Sequence, residues 1–592
     1  MAYLPSLRQK AARQVVTSAF GGINRAERIQ DGEFAEAMNL STREAPLLCP
    51  RKRRGTVRTL NNPQGILAKE RLCWVDGSHV YYDGAAVAGL TLSTAATDCP
   101  KQLVGFGAYI LIFPDQMYFS ALDPTDCGSM GLDSTITCTS SRKATLAPCR
   151  VDGSDWGNIT VSATEPADPA NGQYWMDTGA APHRLMVYST AYGSWTQILT
   201  VYTRISLAGI GSGCRAGDAI EISGLTGSDQ VTQLNGVQYV YDCGPDYIVV
   251  LGLLDQAVTK SSGSVRVQRR VPLMDYVTES ENRLWGCRYG LNRDGATVNE
   301  IYACKLGDFR NWNVYQGIST DSYTVSVGSD GPFTGAITYG GYPMFFKENC
   351  LHKLYGAQPK NYQVMTTQMR GVQAGSSRSL CIVDGTLMYL SQAGAEAYEG
   401  ALPTLVSAPL GERARSEGVG GTAGRKYYLS MLEDGARHLY VYDAANGIWL
   451  EEDAIEAVGF AEWGGDLYAL DGDSGDMLAL LGTAGTPEET VNWQAESGLI
   501  GWDTVEQKYV TRFNIRLALE QGARVEVRLQ YDGGEWQQKA AISSDAARTR
   551  TALMPVYPRR CDHIRMRMTG SGEARVYSIA RLLSGGGDGQ RG

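Results

Sequence analysis

The sequence predicts a mainly β chain, in which a β-propeller of about six or seven blades carries an inserted small β-domain and precedes a C-terminal β-sandwich. Two observations predict this. Short apolar runs are separated by Gly-containing turns, and the pattern recurs along the chain. The 69 glycines, and 32 tyrosines against 11 phenylalanines, favour strands joined by tight turns. A chain of 592 residues also exceeds what one core usually holds.

The repeating unit is clearest at residues 380–400, which read LCIVDGTLMYLSQAGAEAYEG. Asp384-Gly385 between two apolar runs is a hairpin signal, so two strands should meet there. Related stretches start at residues 281, 342, 425 and 460. The spacing between these starting positions, with about four short strands per unit, is typical of propeller blades.

Interruptions of the repeat define the expected domains. Residues 121–275 break the pattern with two smaller β patterns, at 169–198 and 217–252, which predicts an insertion on surface loops. After a polar linker, period-two alternation such as RVEVRLQY predicts the sandwich. The expected units are an N-terminal arm (1–60), first blades (61–120), the insertion (121–275), remaining blades (276–482), the sandwich (483–582) and a flexible tail (583–592).

Charge and cysteine content narrow the function. The formal net charge of −9 argues against a protein that coats nucleic acid, but it permits a channel through which DNA passes without adhering. The 13 cysteines include no C-x-x-C pair, which predicts reduced thiols in a chain made in a reducing cytoplasm. No apolar run is long enough to span a membrane. The first residues lack a signal-peptide core, so we expect no export by the secretory route.

No catalytic residue and no cofactor is predicted. The five histidines are far apart in the sequence: His79, His183, His352, His438 and His563. Neither a G-x-S-x-G elbow nor a phosphate-binding P-loop is present. Asp471, Asp473 and Asp476 in DGDSGD are a candidate Ca²⁺ site. The bidentate Glu of an EF-hand loop is missing, and an acidic turn is the favoured reading.

Two groups of residues are candidate contacts. The basic run Arg51, Lys52, Arg53 and Arg54 could meet phosphate or an acidic neighbour, and a protein contact is favoured because the chain is acidic. Together with Gly21, Gly22 and Asn39, this run marks the N-terminal arm as an assembly contact. In the insertion, Tyr174, Trp175 and Trp195 are candidate glycan contacts.

Three stretches resemble tail nozzle, or hub, proteins of short-tailed bacteriophages. The first is GGINRAERIQDGEFAEAMNLSTREAPLLCPRKRRG at 21–55. The second is ENRLWGCR followed by NEIYACKLGDFRNWN at 281–313, where Cys304 stands in place of the usual Ser. The third is the unit at 380–400 followed by ALPTLVSAPL. Their order along the chain strengthens the resemblance.

The resemblance implies a non-enzymatic virion protein, assembled in the host cytoplasm. Such a protein forms a ring, usually of six copies, that extends the DNA channel of the tail. Its expected partners are copies of itself, an adaptor or portal-side ring, and tail fibres or a tip protein. Two alternatives stay open: a glycan-binding or glycan-cleaving propeller that recognises a receptor, and a bacterial cell-surface propeller.

Overall fold

The computed structural model describes residues 13–93, 100–501, 507–545, 548–556 and 559–585. The prediction of a mainly β chain is confirmed: these residues form many strands and one short α-helix, Asp229–Thr232. Three 3₁₀ turns complete the helical content, at Pro359–Asn361, Ser377–Ser379 and Ala408–Leu410. Among the described residues, no helix has the length and apolar character needed to cross a membrane.

Seven sheets of four antiparallel strands follow one another along the chain. Sheets 1 and 2 come before the insertion, and their strands are Pro63–Lys69, Arg71–Asp76, His79–Tyr82 and Ala85–Ala86, then Gln102–Phe106, Tyr109–Phe113, Met117–Ser120 and Cys127–Ser129. Sheets 3 and 4 follow it, with strands Tyr276–Ser280, Arg283–Leu291, Thr297–Ala303 and Tyr323–Ser326, then Gly335–Tyr339, Tyr342–Lys347, Cys350–Tyr355 and Gln363–Gln368.

Sheets 5, 6 and 7 follow sheet 4 along the chain. Sheets 5 and 6 have strands Cys381–Val383, Thr386–Ser391, Gly394–Tyr398 and Thr404–Leu405, then Arg415–Ala423, Lys426–Glu433, Ala436–Asp443 and Ile448–Asp453. Sheet 7 has strands Ala457–Trp463, Asp466–Asp471, Asp476–Ala479 and Gly55–Thr59, with Thr486–Pro487 paired beyond them. Its fourth strand therefore comes from the N-terminal part of the chain.

Hydrophobic clusters join each of these sheets to the next. Cys73 and Val75 of sheet 1 pack with Ile110 of sheet 2, for example, and further clusters join the later pairs in order. Trp74 of sheet 1 packs with Leu470 of sheet 7. The seven sheets therefore close into a ring, because the last packs on the first.

The insertion has two cores of its own. Eight strands surround the larger core, in the order Leu132–Thr137, Ser264–Arg269, Ala219–Ser223, Gly236–Gly244, Tyr247–Leu251, Tyr202–Ser206, Ala144–Cys149 and Val258–Lys260. The other core lies against a small sheet of four strands, Ile159–Ser162, Tyr174–Asp177, Arg184–Ser189 and Ser194–Gln197. Leu132–Thr137 and Ser264–Arg269, the first and last of these strands along the chain, pair with each other, so the insertion is entered and left at one place.

The C-terminal strands form two sheets that share one core with sheet 6. One sheet contains Arg13–Thr17, Ala574–Gly585, Lys508–Leu519 and Arg548–Pro555, with Arg560–Cys561 beside it. The other extends sheet 6 through Phe34–Met38, Asn492–Ser497, Ile564–Ser571, Arg524–Tyr531 and Gln537–Ser543 into nine strands. A separate short pair joins Leu40–Ser41 to Cys49–Pro50.

The N-terminal segment differs from the expected extended arm. From residue 13 onward it is part of the folded sheets, because it supplies a strand to each C-terminal sheet and another to sheet 7. Phe34–Met38 lies between Ile448–Asp453 of sheet 6 and Asn492–Ser497. Apolar residues such as Phe20, Ile23 and Phe34 are buried in the shared core, and this burial explains why the segment does not project.

Candidate functional site: the N-terminal junction and the insertion

The N-terminal junction is the region where residues 20–60 meet sheet 6, sheet 7 and the C-terminal strands. Asn39 lies at its centre, with a left-handed φ of 57° just after a strand. Its backbone N–H donates to the carbonyl of Glu451 at 2.9 Å. Its side-chain oxygen accepts from Arg51 Nε at 2.7 Å, and its side-chain nitrogen donates to the carbonyl of Asn492 at 2.8 Å. One residue therefore links three parts of the chain.

Arg51 and Arg54 are buried and paired inside the chain. The guanidinium of Arg51 donates two hydrogen bonds to Glu488, at 2.8 and 3.0 Å. Arg54 is 2% exposed and contacts both Glu452, at 2.7 Å, and Asp453. Burial by itself raises the pKa of Glu488, but the hydrogen bond and attraction from Arg51 outweigh it and lower that pKa.

The expectation that the whole basic run faces a neighbour is therefore corrected for these two arginines. Both side chains pair with acidic residues about 400 positions away in the same chain. Lys52 and Arg53 are exposed, and Arg53 donates to the backbone carbonyl of Glu488. Within the basic run, only Lys52 and Arg53 are exposed to a partner.

Gly21 and Gly22 let the chain pass close to the edge of sheet 6. The N–H of Gly21 donates to the carbonyl of Gly32 at 2.8 Å. A Cβ on Gly22 would lie 2.2 Å from the carbonyl oxygen of Trp449, well inside van der Waals contact. The next residue, Ile23, donates its N–H to that same oxygen at 2.7 Å. The pair therefore serves an internal contact of the junction.

The three aspartates proposed for calcium shape a turn in sheet 7. Asp471 accepts hydrogen bonds from the backbone of Asp473 and from the Ser474 hydroxyl. Asp476 accepts from the hydroxyl of Thr59, at 2.6 Å, across the strand pair that closes the sheet. In the part of the chain that the structure describes, no group of three or more His, Cys, Asp or Glu residues is arranged to hold a metal ion.

The histidines make separate contacts. His352 is fully buried between the hydroxyls of Ser329 and Thr366, at 2.7 and 2.9 Å. Burial, with a smaller effect of the nearby Lys347, lowers the pKa of His352 to about 4. A hydrogen bond to Glu451 raises the pKa of His438. The twelve cysteines in the described ranges are all free thiols.

Two of the three expected glycan residues share a face of the small sheet. The rings of Trp175 and Trp195 meet edge-on at 5.3 Å, and Tyr188 lies 5.3 Å from Trp195. These three residues, which we call the aromatic face, stand on adjacent strands. Trp175 donates its indole N–H to Ser162 at 3.0 Å. Within the described residues, the indole N–H of Trp195 has no hydrogen-bond partner.

Tyr174 does not belong to the aromatic face. It precedes Trp175 in the strand, so its side chain points to the opposite side, where it packs with Trp156 at 5.1 Å in the small core. Tyr188 was missed by the sequence reasoning. The signal was present, because Tyr188 and Trp195 are placed to pair across the hairpin that joins their strands.

No protein-family model matches the sequence, and no curated protein matches it. Several solved structures show a weak structural likeness to the chain. An exo-β-1,3-galactanase from Phanerochaete chrysosporium is 8% identical over 52% of this chain and 94% of its own, with a TM-score of 0.21. PorZ, a surface component of the type-IX secretion system of Porphyromonas gingivalis, is 11% identical over 89% and 81%, with a TM-score of 0.23.

A third similar structure is the extracellular domain of a putative one-component system from B. thetaiotaomicron. It is 10% identical over 92% of this chain and 99% of its own, with a TM-score of 0.21. At such TM-scores these likenesses carry no functional argument.

Proposed function

We propose that this chain is a structural subunit of a bacteriophage tail, in which copies form a ring-shaped nozzle or hub around the DNA channel and hold other tail proteins. We infer that sheets 1–7 are the seven blades of one propeller and that the two C-terminal sheets form a sandwich. An N-terminal strand completes the four strands of sheet 7 and so ties the two ends of the ring together, which supports this inference.

The observation that carries the proposal is the nine-stranded sheet. It runs without a break from sheet 6, through Phe34–Met38, into the C-terminal strands Asn492–Ser497 and Ile564–Ser571. Backbone hydrogen bonds therefore join the propeller to the sandwich. A flexible linker in their place would let the two units move relative to each other. A subunit that is stiff from end to end suits a ring that must keep its channel open.

Charge supports contacts between copies. Residues 61–482 contain 28 Lys and Arg against 45 Asp and Glu, whereas the remaining terminal segments contain 26 against 18. Opposite charge at the two parts of a subunit favours head-to-tail contact, and a head-to-tail interface closes into a ring when its rotation permits.

Electron microscopy of the purified full chain in negative stain, with a mass measurement, tests the proposal. We expect rings with a central channel; a monodisperse monomer at every protein and salt concentration would refute it. Deleting residues 1–60 is a poor test, since it removes strands of the fold. Lys52→Glu instead reverses one exposed charge of the basic run. We expect it to weaken the ring, while Lys360→Glu, which reverses an exposed charge in the 3₁₀ turn Pro359–Asn361, leaves it intact.

A second candidate function is glycan recognition by the insertion, and the aromatic face favours it. Tyr188 and Trp195 are half-buried, and their rings adjoin the buried ring of Trp175 on one side of the small sheet. Amphipathic rings of this kind are common at binding surfaces. A glycan array with the full chain tests this candidate. Binding should disappear in Trp195→Ala and persist in Tyr315→Ala, which removes an exposed ring from the loop between the last two strands of sheet 3. No binding by the unaltered chain would count against it.

A further inference from the structure

A polar cavity of about 620 Å³ lies where the first strands of sheets 1, 6 and 7 begin. In the propeller this places it at one end of the ring of inner strands. Amide and charged side chains supply most of its polar lining: Asn61, Asn62, Gln64, Arg378, Glu417, Arg437, Glu456 and Asp473. No aromatic side chain of the described residues lines it. The cavity shares no lining residue with the basic run or with the aromatic face.

Gln64 lines this cavity with a buried side-chain amide that has no hydrogen-bond partner among the described residues. It is 3% exposed, yet neither its side-chain oxygen nor its side-chain nitrogen has a hydrogen-bond partner among the described residues. A buried amide in that state is destabilising, because it has lost water and gained nothing in return. The unused capacity is two donors and an acceptor. A ligand in the cavity would satisfy them.

The charged groups of the cavity are only partly neutralised. Arg437 lies between two carboxylates, 2.8 Å from Glu417 and 3.3 Å from Glu456. Both carboxylates are more than half exposed, so each keeps an oxygen for another partner. Asp473 adds a third acid, while Arg378 donates to the backbone carbonyl of Val458. Three acids against two bases favour a cationic ligand.

Glu417 also has an unusual backbone. Its φ is +52°, a left-handed conformation that costs energy for a residue with a side chain, and it lies at a bulge in the first strand of sheet 6. The bulge turns the Glu417 side chain toward the cavity. Strain of this kind is often found where a side chain must be held in place for binding.

We propose that this cavity binds a short basic peptide segment of a partner protein. A Lys or Arg side chain of the segment pairs with Glu417 and Asp473, and Gln64 hydrogen-bonds a peptide group, which also offers both a donor and an acceptor. A neutral saccharide would suit the cavity less well, because it brings no charge to the acids and finds no ring to stack on. The proposal does not depend on the assignment to a phage tail.

Fluorescence anisotropy with the full chain tests it. The probe is a labelled Gly-Arg-Gly-Lys-Gly peptide, and the matched neutral peptide is Gly-Gln-Gly-Gln-Gly. We expect the basic peptide to bind at least roughly tenfold more tightly than the neutral one, with weaker binding at high salt. Glu417→Gln should weaken binding by a similar factor, whereas Glu462→Gln, which removes an exposed acid from sheet 7 outside the cavity, should not. Equal binding of both peptides, or displacement of the probe by maltotriose, would overturn the proposal.

Gln64→Leu gives a second, independent test. If Gln64 is kept for a ligand, this variant should lose the peptide yet melt at a higher temperature than the unaltered chain, since it removes an unpaired buried amide. If Gln64 instead serves the fold, the variant melts at a lower temperature and binds the peptide as before. That second result would refute the role of Gln64 and with it the proposed site.

Discussion

Arg54 Nη2 lies 2.7 Å from Glu452 Oε2, and both side chains are almost completely buried. The two residues are 398 positions apart in the sequence. Burial alone lowers the pKa of Arg54, but attraction to Asp453 and Glu452 raises it above its usual value, so the guanidinium stays charged. This ion pair fixes the start of the strand that closes the ring against the last strand of sheet 6.

Arg54→Met should be strongly destabilising. It leaves the Glu452 carboxylate buried without its partner, and such a loss costs about 3–5 kcal/mol. Urea unfolding followed by tryptophan fluorescence would measure the change. Arg53→Met is the control, because Arg53 is exposed, and we expect it to cost less than about 1 kcal/mol. Similar midpoints for the two variants would show that the pair does not hold the closing strand.

Gly22→Ala should be much more harmful than Gly21→Ala. The new Cβ at Gly22 meets the fixed backbone oxygen of Trp449, whereas the nearest atom at Gly21 is a flexible Glu33 side-chain carbon at 3.2 Å. We expect a cost of about 2–3 kcal/mol at Gly22 from this overlap and a smaller one at Gly21. Thermal melts of the two variants would compare them. A Gly22→Ala protein as stable as the unaltered one would mean that the junction is looser than described.

His352 should make the protein less stable in mild acid. Its pKa is about 4 in the folded chain, below the unfolded value near 6.5. As the pH falls from about 6.5 to about 4, His352 therefore binds a proton in the unfolded state but stays neutral in the folded state. Between pH 7 and pH 4 the free energy of unfolding should drop by about 3 kcal/mol from this group alone.

Melting curves between pH 7 and pH 4 would measure the effect of His352. The matched variant is His352→Gln, which keeps a hydrogen-bonding side chain but does not titrate. Carboxylates titrate in both proteins, so the difference between the two curves isolates the histidine. Parallel curves would contradict the prediction. His438, whose pKa is raised, has the opposite sign, because its contribution is present at low pH and is lost as the pH rises past its folded value.

The insertion should be removable without loss of the ring of sheets. Leu132 pairs with Arg269, so the chain leaves sheet 2 and returns toward sheet 3 at adjacent points. We expect a chain in which a short Gly-Ser turn replaces residues 133–268 to keep its β circular dichroism signal. Its stability should fall modestly, because buried Asn311 accepts a hydrogen bond from the Ala219 N–H and donates one to Asp218, and both would be lost. Global unfolding would show that the insertion is part of the core.

Local features of the fold could be predicted from the sequence. Asp384-Gly385 was expected to turn a hairpin, and both residues have positive φ, 48° and 84°, between the paired strands Cys381–Val383 and Thr386–Ser391. This succeeds because a tight turn and its flanking alternation are encoded within about ten residues.

Distant pairings could not be predicted in the same way. Nothing near Gly55–Thr59 indicates that its partner is Asp476–Ala479, since any exposed strand edge offers the same backbone groups. For the candidate site, the basic run shows the same limit of prediction from the sequence. Four adjacent cations suggested a surface, but Arg51 and Arg54 find buried carboxylates that are close only after folding.

The closing of sheet 7 also sets an order of events during synthesis. Thr59 and Asp476, which bond across the closing strand pair, are separated by 417 residues. At ribosomal speeds of about 5–20 residues per second, the strand Gly55–Thr59 waits roughly 20–80 s for its partner Asp476–Ala479. Throughout that time its edge is open to other chains on the same polysome. Cells that make this protein therefore have a reason to shield its first sixty residues with a chaperone until translation is nearly finished.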